Sequence, residues 1–412
     1  MNWQQVASSA EVTPRPVRVE VGGRACALVR LYPGGPVSAF LDRCPHRHLP
    51  LSAGSVVEGR LRCAYHGWEF GPDGSCTVVP SANNVSIPPR ATLGAVDVVE
   101  RDGSVWLDAD ALDAPAELGP LLTNADPTLR RGWHAVALSA ELGAHELPVR
   151  LLGEDWLVRR DPVGRALQVY PVPFFVSESQ GIVWLAPDEP VAPRLELAED
   201  GDPAYPGGWL DPARTTSPAG LMADNFLDVA HFPFVHTTTF GAVQETGVPS
   251  YEVRAEPGGF SSVQEQWFAN PEDPGVVAGL RPLQQRRRAT YVYRLPFQLL
   301  LRLEELDAGS VKVILFLLQP EDLGSTRVYT KLLVHGIGGV AVPPPDVVAG
   351  ELDFEQAVLD EDLALQAHMR VAGLPLRMRD EVHVRADRSG VALRRALAGL
   401  SGAAGTAGTV RP

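Results

Sequence analysis

The sequence has little cysteine and lacks long apolar runs. Four cysteines among 412 residues are too few for the disulfide framework of a small secreted protein. No stretch reaches the roughly 18–20 continuous apolar residues of a membrane-spanning helix, and even 295–303 is interrupted by Gln298 and Arg302. Residues 1–12 lack the basic end and the apolar run of a signal peptide. We therefore expect a cytoplasmic protein that has no membrane partner.

Basic residues are outnumbered by acidic ones. Lysine and arginine total 36 against 50 aspartates and glutamates, which gives a formal net charge of −14 at pH 7. A negative surface argues against nucleic acid as the main partner. The chain is 45% hydrophobic and 21% charged, an ordinary globular composition. At about 100–200 residues per domain, its length suggests two or three domains.

Short strands and an internal repeat are expected in the first half. The chain contains 39 glycines and 37 prolines, which favour short strands joined by turns. Val-Ala-Ser-Ser-Ala-Glu at 6–11 resembles Val-Ala-Leu-Ser-Ala-Glu at 136–141, and Gly-Ser-Val-Trp-Leu at 103–107 resembles Gly-Ile-Val-Trp-Leu at 181–185. The second copy is shorter and lacks the cysteine–histidine pairs of the first. We therefore predict that 129–192 is a truncated, metal-free copy of the unit at 1–128. The alternative is that the similarity between these short strand sequences is a coincidence.

The remainder of the chain predicts a helix, a sheet and a second helix. Ser217-Pro218 is typical of a helix start, and the helix is expected to run to about Phe232. Alternating apolar runs then predict antiparallel strands, followed by a long helix at about 352–371. The strands are expected at 251–255, 261–268, 290–303, 311–318 and 326–334. Residues 402–412 are rich in alanine, glycine and threonine and are expected to form a flexible tail.

Two motifs in the first unit place one thiolate and one imidazole each on a tight loop. They are Cys44-Pro-His46 and Cys63-Ala-Tyr-His66. Four such ligands suit a tetrahedral zinc ion or an iron–sulfur cluster. Zinc knuckles usually repeat Cys-x-x-Cys or end in His-x₃₋₅-His, and neither motif fits this pattern. The pairs instead match Rieske [2Fe–2S] ligation, in which one iron takes two thiolates and the other takes two neutral imidazoles.

The segments around these motifs resemble the cluster loops of Rieske non-haem iron oxygenases. They read Arg43-Cys-Pro-His-Arg-His-Leu-Pro-Leu-Ser52 and Cys63-Ala-Tyr-His-Gly-Trp68. The resemblance implies an α+β fold with an N-terminal Rieske β-domain at 1–128 that holds a [2Fe–2S] cluster. After the truncated unit at 129–192, it implies a helix-grip catalytic domain at 193–401, an antiparallel sheet around a long helix. His48 lies outside the four-ligand pattern and is expected to be a loop or interface residue.

A second group of metal ligands follows the predicted helix start. Asp228 and His231 are three residues apart and share one helix face. His231 and His236 are five apart and would point ~140° away from each other on a straight helix, so Pro233 between them is expected to break it. Two histidines and one carboxylate form the facial triad of Fe(II) oxygenases, with two unrelated histidines as the alternative. The resemblance assigns His231 and His236 as iron ligands.

The third ligand is expected from the acidic helix after Glu351. Glu361 and Asp362 flank its apolar stripe, where a carboxylate is costly unless it is paired or bound to metal. The helical wheel leaves both residues open, and a partly exposed boundary carboxylate is the alternative. The resemblance selects Asp362, because the family uses an aspartate in a comparable acidic helix before a glutamine, here Gln366.

The resemblance also implies how the two centres cooperate. In the family, the cluster of one subunit approaches the iron of its neighbour in a ring, and a carboxylate bridges histidines of the two centres. A homotrimer is therefore expected. Asp228 stands at the matching position, so we expect it to hydrogen-bond His231 and a cluster histidine, His66, of the next subunit. The alternative role for Asp228 is to orient His231 alone.

The implied activity is O₂ activation at Fe(II) followed by hydroxylation or oxidative demethylation of a small, largely apolar organic substrate, with a natural-product intermediate as one candidate. No Gly-x-Gly-x-x-Gly fingerprint lies between a predicted strand and helix, so NAD(P)H must act indirectly through a separate flavin reductase, a ferredoxin or both. Desaturation and oxidative cyclisation are alternative reactions. A non-catalytic Rieske electron carrier fused to a hydrophobic-ligand domain is the alternative function. Apolar residues on the predicted strands, mostly core, are candidates to face the pocket: Phe297, Leu299, Leu301, Val313 and Leu315.

Overall fold

The structure is a computed structural model that describes residues 2–112, 118–143, 145–161, 166–240, 246–270 and 273–406. Antiparallel sheets form most of it and α-helices are few, which confirms the predicted α+β class. Within these ranges, none of the helices combines the length and the hydropathy that crossing a bilayer requires.

The first unit is built from short strands. They are β1 (Trp3–Ser8), β2 (Val17–Val21), β3 (Arg24–Arg30), β4 (Val37–Leu41), β5 (Ser55–Val57), β6 (Arg60–Arg62), β7 (Glu69–Phe70), β8 (Cys76–Val78), β9 (Val98–Arg101) and β10 (Ser104–Asp108). They form three antiparallel sheets in the orders β1-β10-β9, β2-β3-β4 and β5-β6-β7-β8. One cysteine–histidine loop precedes β5 and the other joins β6 to β7. The small third sheet therefore carries both loops.

The second unit repeats two of these three sheets. After β11 (Leu121–Leu122), its strands are β12 (His134–Leu138), β13 (Leu147–Leu151), β14 (Glu154–Arg160), β15 (Leu167–Tyr170), β16 (Phe175–Ser179) and β17 (Ile182–Ala186). The orders β12-β17-β16 and β13-β14-β15 follow the same connections as β1-β10-β9 and β2-β3-β4. A sheet equivalent to β5–β8 would have to lie between β15 and β16, where only 171–174 intervene.

Backbone details of the two units also match. The Ser9 N–H donates to the Gly103 carbonyl over 2.9 Å, and the Ser139 N–H donates to the Gly181 carbonyl over 2.8 Å. Two further bonds correspond: Ser8 N–H to the Glu11 carboxylate over 3.0 Å and Leu138 N–H to the Glu141 carboxylate over 2.7 Å. The first strand of each unit carries a register shift at the same point. These matches support the predicted repeat, while the boundaries 1–128, 129–192 and 193–401 stay predictions.

The last unit is a large sheet with helices on one face. Its elements are β18 (Gly207–Trp209), β19 (Ala213–Thr215), α1 (Ala219–Phe226), α2 (Phe232–Val235), β20 (Glu252–Glu256), β21 (Gly259–Ala269), α3 (Pro274–Val277), β22 (Gln284–Arg294), β23 (Gln298–Glu305), β24 (Ser310–Asp322), β25 (Ser325–His335), α4 (Pro345–Gln366), β26 (Leu374–Pro375) and α5 (Arg388–Thr406). The sheet runs β18-β25-β24-β23-β22-β21-β20, and β19 also pairs with β25.

Several predicted element bounds were wrong. The strand expected at 290–303 is two strands, β22 and β23, because Pro296 cannot donate to a ladder and sits in the turn between them. Helix α4 begins at Pro345, where proline fits the first turn. Helix α5 reaches Thr406, so 402–406 are helical and not a flexible tail. The rest of that expected tail, 407–412, lies outside the described residues.

The two faces of the large sheet contact different partners because side chains alternate along each strand. On β24, Ile314 and Phe316 belong to the core that contains the helices. Val313 and Leu315 pack instead with Trp184 of the second unit. The expectation that Val313 and Leu315 face the pocket was therefore wrong, because the second unit covers their face of the sheet.

Trp184→Ala is expected to lower the free energy of unfolding by about 3–5 kcal/mol. Trp184 is 0% exposed at the contact between the second unit and the sheet, so truncation leaves a cavity there. Urea titration followed by circular dichroism measures the loss. Trp267→Ala is the matched control, since Trp267 is 60% exposed and its loss should change the value by less than about 0.5 kcal/mol. Equal effects of the two variants would contradict the packing described here.

Candidate metal centres

The two cysteine–histidine loops lie side by side and face the last unit. Each loop is closed by backbone hydrogen bonds: Cys44 N–H donates to Leu49 O and Cys63 N–H donates to Trp68 O, both over 2.9 Å. The cysteine and histidine of both motifs are buried. The rings of His46 and His66 lie 4.3 Å apart between centroids. The folded loops therefore bring two thiols and two imidazoles to one place.

The chemistry of these four side chains fits a [2Fe–2S] cluster. The Cys44 and Cys63 side chains are both buried and close enough for each to affect the pKa of the other, so two sulfurs are available together. His46 Nε2 bonds the Asp387 carboxylate over 2.9 Å, and its Nδ1 is buried with no hydrogen-bond partner among the described residues. Burial lowers the pKa of His46 to about 4, so the imidazole is neutral, as an iron ligand must be. The orphaned Nδ1 marks the atom that a cluster iron would bind.

Three side chains of the last unit converge in the way a facial triad requires. Nε2 of His231 and Nε2 of His236 are 3.1 Å apart. Asp362 Oδ1 lies 3.4 Å from the first of these atoms and 3.5 Å from the second. Metal–imidazole bonds are about 2.1 Å long, so two ligands at right angles lie about 3 Å apart. The three ligand atoms therefore have the spacing of one metal ion's ligands.

The electrostatics of this group also favour a cation. Burial opposes protonation of His231, yet Asp228 and Asp362 together raise its pKa to about 9. A positive charge is thus stabilised where the ligand atoms converge, as a bound metal ion would supply.

The chain bends earlier than Pro233, so the predicted position of the helix break was wrong. Helix α1 ends at Phe226 and α2 begins at Phe232. Between them, Asp228 Oδ1 accepts hydrogen bonds from the backbone N–H groups of Ala230 at 2.5 Å and His231 at 3.2 Å. An aspartate that bonds its own backbone in this way competes with helix continuation. Pro233 lies in the first turn of α2, where it removes no helical hydrogen bond.

Glu361, the alternative third ligand, points to the far side of His236. Its carboxylate bonds His236 Nδ1 over 3.0 Å and the Thr239 hydroxyl over 2.7 Å, and it also accepts from Thr238. A carboxylate on the outer nitrogen of a ligating histidine fixes the ring and its tautomer. The structure thus brings Asp362 to the convergence point and places Glu361 behind His236.

Asp228 joins the two candidate centres. Its Oδ2 accepts a hydrogen bond from His66 Nε2 over 3.0 Å, and its Oδ1 accepts the His231 N–H and lies 3.7 Å from His231 Nδ1. Burial raises the pKa of Asp228, but His66 and His231 outweigh burial and hold it well below its usual range. This contact was predicted to form between subunits; in the structure both partners belong to one chain.

A second hydrogen-bonded path, which sequence reasoning did not identify, runs beside Asp228. The Tyr65 hydroxyl donates to Asn225 Oδ1 over 2.6 Å, and Asn225 Nδ2 donates to Asp362 over 2.8 Å. Gln366 also donates to Asn225 Oδ1, over 3.0 Å. Asn225 stands in the same short run as Asp228, which was the available signal. Only the fold reveals that Tyr65, next to His66, reaches it.

A buried ionic network, also not predicted, surrounds His46. Arg394 is 0% exposed and bonds Asp224 and Glu381 over 2.7–3.0 Å. Arg47 of the cluster loop forms ion pairs with Asp224 at 3.0 Å and with Asp387 at 3.1 Å. Buried charges are tolerated when each has a close partner of opposite sign. This network fixes the cluster loop against the last unit.

Two parts of the chain match known protein families. Residues 2–89 match the Rieske [2Fe-2S] domain, and residues 216–403 match the vanillate O-demethylase oxygenase C-terminal domain. The four residues of the first motif pair lie in the first match, and all three converging ligands lie in the second. The strands of the second unit, β12 to β17, lie between them.

Individual relatives are demethylases by name. The dicamba O-demethylase oxygenase component of Stenotrophomonas maltophilia is 36% identical over 130 residues, 31% of this chain and 38% of that protein. The methylxanthine N1-demethylase NdmA of Pseudomonas putida is 35% identical over 115 residues, 28% of this chain and 32% of that protein. The chain thus matches about a third of the length of each of these two relatives. Among solved structures, Pseudomonas putida CBB5 NdmB has a TM-score of 0.44 at 19% identity and covers 97% of this chain and 91% of its own.

Proposed function

The chain belongs to the Rieske non-haem iron oxygenases, and from that premise we propose that it is the oxygenase component of a multicomponent monooxygenase. The cofactors are a Rieske [2Fe–2S] cluster and a mononuclear iron. We assign Cys44, His46, Cys63 and His66 to the cluster. One observation carries the proposal: a candidate facial triad lies one carboxylate away from a candidate cluster ligand.

For the mononuclear iron we assign His231, His236 and Asp362. When bound, the iron supplies O₂ activation, in which O₂, two electrons and two protons convert a substrate C–H bond into C–OH and release one water. The chain's own residues orient the ligands. Glu361 holds His236 from behind, and Asn225 holds Asp362.

Aromatic side chains beside the triad support a largely apolar substrate. Phe240 stacks on His236 with ring centroids 4.8 Å apart, and Phe232 lies against His231 at 4.9 Å. At the end of α1, Phe226 stacks on Phe316 with ring centroids 4.6 Å apart. Apolar walls with a few placed polar groups are typical of small-molecule sites.

We propose oxidative demethylation or hydroxylation as the reaction. The names of both reported relatives state demethylation, and hydroxylation of an O-methyl or N-methyl carbon gives an unstable product that releases formaldehyde. The electrons are proposed to come from NAD(P)H through a separate flavin reductase, a ferredoxin or both, as is typical of the family.

The test combines iron content with turnover. Reconstituted protein should contain three irons per chain, two in the cluster and one mononuclear, and should show the rhombic resonance of a reduced Rieske cluster. With NADH and a surrogate reductase and ferredoxin, we expect O₂ uptake and formaldehyde release on a panel of methoxybenzoates and N-methylxanthines. Two irons per chain and no O₂ uptake would instead favour the non-catalytic electron carrier.

A further inference from the structure

We infer that electrons pass from the cluster to the iron within a single polypeptide of this protein, so that one chain forms a complete catalytic unit. The inference rests on the proposed function and departs from the ring arrangement that the family resemblance implies. One electron leaves the reduced cluster, the iron site gains it, and the NAD(P)H-dependent reductase re-reduces the cluster. Two such transfers accompany each O₂.

The first support is how closely the cluster loop and the triad of one chain approach each other. His66 bonds Asp228 over 3.0 Å, and its neighbour Tyr65 bonds Asn225 over 2.6 Å. Gly67 completes the approach: its φ is +67°, and a Cβ there would lie 2.2 Å from the Phe234 ring of α2. Only glycine fits that conformation and that space. The loop is therefore shaped to contact the element that carries the iron ligands.

The second support is the buried ionic network around His46. Arg47 is 3% exposed, and its nearest anionic partners, Asp224 and Asp387, both belong to the last unit. Leaving a buried charge without its partner is strongly destabilising. The backbone also contributes to this contact, since the Val382 N–H donates to Pro45 O over 2.9 Å. The contact is therefore a fixed interface rather than a loose encounter.

The third support is the attachment of the chain next to that interface. The Gly119 N–H donates to the Asp380 carboxylate over 2.7 Å, and His48 of the cluster loop bonds the Asp380 carbonyl over 2.9 Å. The first unit is described to Leu112, and seven further residues can span at most about 25 Å. The chain is therefore held to the last unit soon after the first unit ends, which keeps the first unit near the triad of its own chain.

The second unit explains what the duplicated fold contributes. Trp184 and Ile182 pack on the outer face of the large sheet, and the Leu152 N–H bonds Pro320 O over 2.7 Å. This copy, which lacks the cluster loops, thus covers the sheet. The first copy, which has them, contacts the triad. Duplication supplies one unit to cover the sheet and another to deliver electrons.

Two complementary variants test the inference. Cys63→Ser should lose the cluster and keep the mononuclear iron, whereas His236→Ala should lose that iron and keep the cluster. We co-express them with different tags and isolate any material that carries both. Transfer between chains predicts that mixed oligomers regain turnover, because each intact cluster meets an intact triad. Transfer within one chain predicts no turnover above that of either variant alone.

A spectroscopic readout that does not depend on turnover completes the test. Nitric oxide bound at the mononuclear iron is paramagnetic and speeds the spin relaxation of a nearby reduced cluster. In wild-type protein diluted until light scattering reports monomers, we expect the microwave power that half-saturates the cluster signal to rise several-fold on adding nitric oxide. The co-expressed variants should show no rise.

The outcomes separate the two proposals. Regained turnover or faster relaxation in the mixed material, or loss of the wild-type effect on dilution, would overturn transfer within one chain. A wild-type protein with no Rieske resonance or no iron–nitrosyl signal would instead refute the proposed function. Each variant must retain the signal of its remaining centre, which shows that it is folded.

Discussion

Asp362→Ala is expected to remove the mononuclear iron and to lower turnover by more than about a hundredfold. Loss of a residue that only orients a metal ligand typically costs about 10- to 100-fold, and loss of the ligand itself should cost more. Asp362 supplies a carboxylate oxygen that lies 3.4–3.5 Å from both imidazole nitrogens. Without it, two neutral histidines remain, and a divalent iron loses its only anionic ligand. Iron quantitation should fall from three to two per chain.

Glu361→Ala is the matched control, because the two carboxylates are adjacent on α4 and differ in what they contact. Glu361 bonds His236 Nδ1 and the threonines at 238 and 239. Its loss should loosen His236 and slow turnover by about 10- to 100-fold while three irons remain. The cluster resonance should be unchanged in both variants. If Asp362→Ala kept three irons and Glu361→Ala lost one, the assignment of the third ligand would be wrong.

The metal motifs could be read from the sequence because their information is local. Cys44 and His46, like Cys63 and His66, sit on single loops, and the triad histidines lie five residues apart. The choice between Glu361 and Asp362 needed more. Neighbouring residues on a helix point about 100° apart, so the choice depends on how α4 is rotated against α2. A helical wheel does not contain that rotation.

Long-range partners could not be predicted. His46 and Asp387 are 341 positions apart, and no local pattern links Arg394 to Asp224. The helix break was predicted at Pro233 because proline is the strongest local breaker. The fold ends α1 earlier, because Asp228 takes up the backbone N–H groups of the turn. The His46 and Arg394 contacts form only when distant parts of the chain pack together, whereas the end of α1 is set by a local bond from Asp228 to the backbone that competes with the expectation from proline.

The internal repeat shows what short sequence similarities can and cannot establish. Similar strand sequences indicated a second copy of the first unit, and the matching sheet orders support that interpretation. These similarities did not indicate which surface each copy would cover. Alternation on β24 predicts two apolar faces, but only the fold assigns Val313 and Leu315 to the second unit and Phe316 to the helices. The fold likewise places the expected contact of His66 with Asp228 within one chain.

Asp228→Asn is expected to slow turnover by about 10- to 100-fold while all three irons stay bound, because Asp228 is not itself a ligand. Its Oδ1 accepts the Ala230 and His231 N–H groups, and an amide oxygen can replace it there. The other position would then carry an NH₂ group facing His66 Nε2–H, so two donors would meet where a carboxylate now accepts over 3.0 Å. The path between the centres is weakened, and each centre remains intact.

Loss of this negative charge should also change the cluster itself. Reduction adds an electron, and a nearby carboxylate disfavours that extra negative charge, so the reduction potential of the cluster should rise in Asp228→Asn. A higher potential leaves less driving force for passing the electron on. Redox titration of the Rieske resonance measures the shift, and rapid mixing of reduced protein with O₂ and substrate measures the rate of cluster oxidation. Asp360→Asn is the control, since Asp360 is exposed on α4 and bonds Gln356. An unchanged rate of cluster oxidation in Asp228→Asn would show that the carboxylate only orients His231. The bridging role requires that electron transfer from the cluster slows when the contact with His66 is lost.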